Sequence, residues 1–107
     1  MDEKRAASLL GIAVKAGKTV SGEDSVLKNI RSAKAKLVLL SSEASERTKG
    51  TFRDKCSHYR VPLYELGTKE ELGRILGKGV RTVVCILDEN LAEGIEKLLT
   101  AAPREED

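Results

Sequence analysis

Gly17, Lys18 and Thr19 end like the phosphate-binding loop G-x-x-x-x-G-K-[ST], in which backbone amides close around phosphate oxygens and a lysine offsets their charge. The spacing argues against it. Five residues, not four, separate Gly11 from Gly17, and the stretch before them has helical rather than strand periodicity, so no helix start would face the anion. No strand-borne acid stands out as a magnesium ligand. His58 lies two residues from Cys56, but two ligands cannot close a tetrahedral zinc site and the chain has no second histidine. Cys56 and Cys85 belong to no C-x-x-C pair and read as ordinary thiols. Asp88 and Glu89 form either a strand-end carboxylate pair or a polar turn whose Asn90 caps the last helix, and the turn is the better fit. The expectation is a non-catalytic protein with no metal and no cofactor. An enzyme pocket assembled from scattered residues is the alternative.

Another kind of chemistry lies in Ser21-Gly22-Glu23-Asp24-Ser25-Val26-Leu27-Lys28. A helix starting here leaves free amides after Gly22 beside the side chains of Glu23, Asp24 and Ser25, with Lys28 about one turn further on. Such a mouth can bond base edges or phosphates, and Gly22 would let another backbone come close. Lys28, Arg31, Lys34 and Lys36 would extend a positive track. The competing reading is a capped helix without a ligand, its acids simply complementing the helix dipole. Net charge is only +2, but residues 1–60 carry 13 Lys/Arg against 7 Asp/Glu, and residues 61–107 carry 6 against 10. That imbalance predicts a basic face and an acidic face. Phe52, Tyr59 and Tyr64 are the only aromatic residues, too few for a platform that stacks single-stranded bases.

The elements that must position these groups follow from periodicity. Ala6, Leu9, Leu10, Ala13 and Val14 recur at helical spacing over Asp2 to Ala16, and Gly17 supplies a stop. Thr19 and Val20 suit a very short strand. Ser21 and Asp24 have the S-x-x-D spacing of a capping box for a second helix running to about Ser32, with Val26, Leu27 and Ile30 inward. The run AKLVLLS predicts a strand covered on both faces. A polar helix follows, weakened at Gly50 by about 1 kcal/mol relative to Ala. VPLYEL is the third strand. Thr68 and Glu71 form a capping box for a helix that Gly77 ends, TVVCIL is a buried strand, and NLAEGIEKLLTA a last amphipathic helix. Strands alternating with helices predict one α/β domain over residues 1–107, a three-layer α/β/α sandwich around a mostly parallel, mixed sheet of about four strands. A charged tail at 103–107 is expected to be flexible. No stretch is long and apolar enough for a bilayer and no leader pattern opens the chain, so a cytoplasmic protein is expected.

SGEDSVLKNIRSAKAKLVLLS, followed by VPLYELGTKEELGRILGKGVRTVVCIL, resembles the ribosomal L7Ae/L30e family, most closely its small bacterial YlxQ-type branch, over about residues 5 to 100. The resemblance implies an α/β/α sandwich that binds kink-turn RNA, a sharply bent duplex with an internal loop and tandem sheared G·A pairs. Carried over by position, Gly22, Asp24, Ser25 and Lys28 would face the G·A pairs with Glu23 beside them and Arg31 on the positive track. Lys78, Gly79, Val80 and Arg81 would pack on the flipped loop nucleotide, which Ser45, after the second strand, would also reach. Many members have Asn-Glu where this chain has Asp24-Ser25, so an amide donor is replaced by a charged acceptor. The implied function is non-catalytic recognition of bent, structured RNA, ribosomal or regulatory, with the ribosome a further candidate partner and neither DNA nor a membrane expected. The alternative is a protein-interaction adaptor of the translation machinery that keeps the fold but has lost kink-turn binding.

Overall fold

The computed structural model describes residues 2–100, so the tail at 103–107 lies outside the described residues. The order of elements is α1 (Glu3–Lys15), β1 (Thr19–Ser21), α2 (Glu23–Arg31), β2 (Leu37–Leu40), α3 (Glu46–Tyr59), β3 (Leu63–Glu65), α4 (Lys69–Ile75), β4 (Val83–Ile86) and α5 (Glu89–Thr100). Local chemistry sets most boundaries. Asp2 accepts from the Arg5 amide at 3.1 Å to start α1, and Gly17 leaves it at φ +72°. Thr68 and Glu71 make the expected reciprocal capping box of α4, and Gly77 follows at φ +69°. At α5 the cap is Asp88, whose carboxylate accepts from the Leu91 amide at 2.8 Å. Asn90 already lies inside that helix, which corrects the assignment of the cap to Asn90.

The sheet has the order β1-β4-β2-β3 and is covered on both faces. Residues of β2 and β4 alternate between its sides. Leu37, Leu39, Val84 and Ile86 pack with Ala6 and Leu10 of α1, Leu72 of α4, and Ile95 and Leu99 of α5. Val38, Leu40, Val83 and Cys85 pack with Val26 and Ile30 of α2 and Phe52 and Cys56 of α3. This is the expected three-layer sandwich, and two-sided burial explains why β2 and β4 read as continuous apolar runs.

Strand direction follows expectation only in part. β1, β2 and β3 run the same way, but β4 runs against them and inserts between β1 and β2, so only β2 and β3 are parallel neighbours. The expectation of mostly parallel pairing is corrected here. The cause is α4, whose seven residues span only about 10 Å at 1.5 Å per residue. After it the chain folds back, the Lys78 amide bonding the Gly73 carbonyl (2.8 Å) and the Arg81 amide the Lys69 carbonyl (3.1 Å). The chain therefore enters β4 at the end of the sheet where it left β3.

Candidate nucleic-acid interface

One end of the sheet gathers the candidate residues. Ser21 pairs with Val84, and Leu40 pairs with both Val83 and Glu65. The ends of β1, β2 and β3 and the start of β4 therefore share one edge of the fold. Backbone bonds tie the segments that leave there. The Gly22 amide donates to the Val83 carbonyl (3.1 Å), the Ser41 amide to that of Thr82 (2.8 Å), and the Ser42 amide to that of Gly67 (2.9 Å). Helices α1, α2, α3 and α4 all begin at this end, so four positive dipole ends point the same way.

Only one of these helix mouths lacks a side-chain cap. Asp2, Ser45 and Thr68 each bond an amide of the first turn of α1, α3 and α4. Gly22, the residue before α2, stands at φ 99° and ψ 145° and offers no side chain. This conformation is essentially restricted to glycine. It turns the chain so that Ser21 does not cap, and the capping box read from Ser21 and Asp24 does not form. Glu23, Asp24, Ser25 and Lys28 are exposed around the open amides. Glu23 has a fixed partner: its carboxylate accepts from the Thr48 hydroxyl at 3.3 Å. That hydroxyl accepts from Ser45 Oγ at 3.1 Å, and Ser45 also caps the Thr48 amide. The starts of α2 and α3 are thereby linked through Ser45.

The loop from Lys78 to Arg81 reaches the same end through Thr82 and Val83. Val80 is 52% exposed, unusual for a branched apolar side chain. The Arg81 guanidinium donates to the Val80 carbonyl at 2.9 Å. Beneath the loop, Gly73 is buried and the Gly79 backbone lies directly over it. Gly22 to Lys28, Ser45 and Lys78 to Arg81 thus share one end of the fold. Arg31 ends α2 toward the other end, where the Lys36 amide bonds the Ile86 carbonyl at 2.8 Å. The track Lys28, Arg31, Lys34, Lys36 therefore runs down the length of the domain rather than around its mouth.

Sequence reasoning missed Thr48 and Gly73. The first shows no signal beyond its place three residues after a cap. The second was visible as a glycine interrupting a short helix, where Ala would be favoured by about 1 kcal/mol. The two thiols take no part in this surface. Both are buried, and burial pushes each up to about 11, away from the nucleophilic thiolate form. His58, exposed on α3, does not share the buried side of Cys56. Among the described residues no group of three or more His, Cys, Asp or Glu could hold a metal ion, and no helix is long and apolar enough to cross a membrane.

Residues 4–96 match the profile of the family described as "Ribosomal protein L7Ae/L30e/S12e/Gadd45 family". The chain is 47% identical over 91 residues to the RNA-binding protein YlxQ of Bacillus subtilis, covering 85% of this chain and 91% of that one. It is 38% identical over 98 residues to the protein of the same name from Enterococcus faecium, covering 92% and 94%. Among solved structures, a Bacillus halodurans protein of unknown function superposes with a TM-score of 0.85 at 35% identity, over 88% of this chain and 95% of that one.

Proposed function

The chain belongs to the ribosomal protein L7Ae/L30e/S12e/Gadd45 family, and on that footing we propose that it is a non-catalytic, cytoplasmic RNA-binding protein that recognises bent, kink-turn-like RNA of ribosomal or regulatory origin. The observation that carries the reading is the open mouth of α2. It is the one start among α1 to α4 without a side-chain cap, and it carries exposed Asp24, Ser25 and Lys28. Amides, a hydroxyl and a carboxylate at one site suit base edges, since Asp24 accepts from guanine N–H groups. Lys28 adds attraction for phosphate that weakens with salt. The exposed Val80 offers an apolar surface to an unstacked nucleotide, with Lys78 and Arg81 at its sides and Ser45 across the mouth. Holding the bent form better than the extended one shifts the RNA toward the bend. Association with the ribosome is part of this proposal.

Titration of isotope-labelled protein with a kink-turn oligonucleotide tests it. The amide signals of Gly22 to Lys28 and Lys78 to Arg81 are expected to move, and Lys28→Ala and Val80→Asp each to weaken binding several-fold or more. Signals that stay still at these positions while others shift would refute the assigned surface. A second reading is favoured by Asp24, whose exposed carboxylate adds negative charge beside the phosphates. On that reading the chain is an adaptor that binds protein rather than RNA, and affinity capture yielding protein but no RNA selects it.

A further inference from the structure

We propose that the channel between α2 and α3 is a phosphate track that receives one helical stem of the bound RNA, so that the stem lies over the α2–α3 layer and not over α5 on the opposite face. The inference rests on the RNA-binding reading above and adds a direction to it. Both helices start at the same end of the sheet and run side by side away from it, joined at their mouths by the contact of Glu23 with Thr48 at 3.3 Å. That contact fixes which flanks face each other. Residues four apart share a helix flank, so Glu23, Leu27 and Arg31 form the side of α2 next to α3. Leu27 packs into the core cluster that contains Phe52 and Cys56 of α3.

On α3, Thr48 and Lys55 lie seven residues apart, two turns along one flank, and Arg47, Thr51 and Lys55 continue it at spacings of four. Arg31 and Lys55 therefore rim the channel about two turns from the α2 mouth, with Lys28 and Arg47 nearer to it. Lys28, Arg31 and Arg47 are exposed and Lys55 is half-buried. Among the described residues none of the four enters an ion pair; the pairs found there are Arg5 with Asp2 and Lys49 with Glu65. Lys34, exposed beyond the end of α2, prolongs the line. The acids of this layer, Glu23, Asp24 and Glu46, sit in the first turns, leaving Asp54 as the one acid further along α3.

In the opposite layer α5 has the reverse balance, while α1 carries Lys4, Arg5 and Lys15 against Glu3 and α4 carries Lys69 and Arg74 against Glu70 and Glu71. The chain from Asp88 through α5 carries Asp88, Glu89, Glu93 and Glu96 against Lys97 alone, and a duplex laid there would meet like charge. The basic rim of the α2–α3 channel and the acidic face of α5 thus supply a choice of side that the α2 mouth alone does not make.

Affinity is to be measured for a kink-turn RNA with two full stems and for versions with either stem trimmed, using the parent, Arg31→Ala/Lys55→Ala, and Lys15→Ala/Lys97→Ala as a control of equal charge loss from the other layer. The first double variant is expected to lose roughly tenfold, with the salt slope reduced by about 2 for two phosphate contacts. The control should change less than twofold, and trimming one particular stem should abolish the difference between parent and variant. Equal losses in the two double variants, or a loss that persists whichever stem is trimmed, would overturn the track. If the parent does not prefer a kink-turn over an unbent duplex of equal length, the base-reading proposal fails. The track then stands or falls on whether Arg31→Ala/Lys55→Ala lowers duplex affinity more than the control.

Discussion

Gly73 and Gly79 meet backbone to backbone: a Cβ added at Gly73 would collide with the Gly79 carbonyl oxygen and lie 2.7 Å from its carbonyl carbon. The helix α4 and the loop that carries Val80 are therefore in contact with no side chain between them. Because the obstacle is backbone at both sides, no rotamer change can relieve it. Gly73→Ala is expected to destabilise by about 1–3 kcal/mol, the usual cost of overpacking. At roughly 4–8 °C per kcal/mol for a domain near this size, the melting temperature should fall by at least several degrees. The same variant should weaken RNA binding even well below its melting point, because the loop is pushed off its seat. Unchanged melting would show that the loop has room to move.

Gly50 offers the opposite case. It lies within α3, and a Cβ there meets nothing within 4 Å. Gly50→Ala should therefore stabilise by about 0.5–1 kcal/mol through helix propensity alone. A thermal melt of this variant beside Gly73→Ala separates a glycine kept for close approach from one that is not. A drop in stability would mean that Gly50 has a structural role unseen in its surroundings.

These two glycines also mark how far the sequence could be read. Caps and periodic runs are local, so Thr68 with Glu71, Gly17 and Gly77 announced their helix ends, and the apolar runs of β2 and β4 announced buried strands. Whatever depends on distant partners was not legible. The insertion of β4 between β1 and β2 follows from a chain reversal after α4, and the seat of Gly79 on Gly73 appears only once that reversal is made. The failed capping box has a different origin. Ser21 and Asp24 have suitable spacing, but the conformation of Gly22, set by its bond to the Val83 carbonyl in a strand sixty residues away, takes Ser21 out of reach. At the candidate site, the α2 mouth was named from its residues and the last loop from the family resemblance, whereas the joint of Glu23, Thr48 and Ser45 needed the fold.

That joint makes a separable prediction. Ser45→Ala removes the cap of α3 and the donor to Thr48 together, and should cost about 1 kcal/mol, typical of a lost N-cap. Thr48→Val keeps the cap and the β-branched shape but deletes the hydroxyl that holds Glu23. It should alter stability by less than the Ser45 change, since the pair is exposed, while increasing backbone motion at Glu23 and Asp24 in relaxation measurements. If Thr48→Val leaves motion at the α2 mouth as it was, the contact is incidental to the site.

The buried thiols give the fold a pH limit on the alkaline side. Burial pushes Cys56 and Cys85 up to about 11; for Cys85 a bond with the Val20 backbone works against burial, and the proximity of Cys56 adds to it. Tyr64 is raised as well, by burial first and then by its hydroxyl's bond to Glu96. For a group raised on folding, the native state binds the proton more tightly than the unfolded chain. Its stabilisation is therefore complete below the unfolded thiol value near 9 and is lost as pH climbs toward 11. A shift of two units corresponds to at most about 3 kcal/mol for each thiol. Melting temperature should be level from pH 6 to 8 and fall between 9 and 11, and neither thiol should react with iodoacetamide at pH 8 until the protein unfolds. A Cys56→Ala/Cys85→Ala variant should be less stable at pH 7 because of the space left behind, yet lose less between pH 9 and 11. An equally steep alkaline fall in that variant would place its cause outside the thiols, with Tyr64 the next group raised on folding.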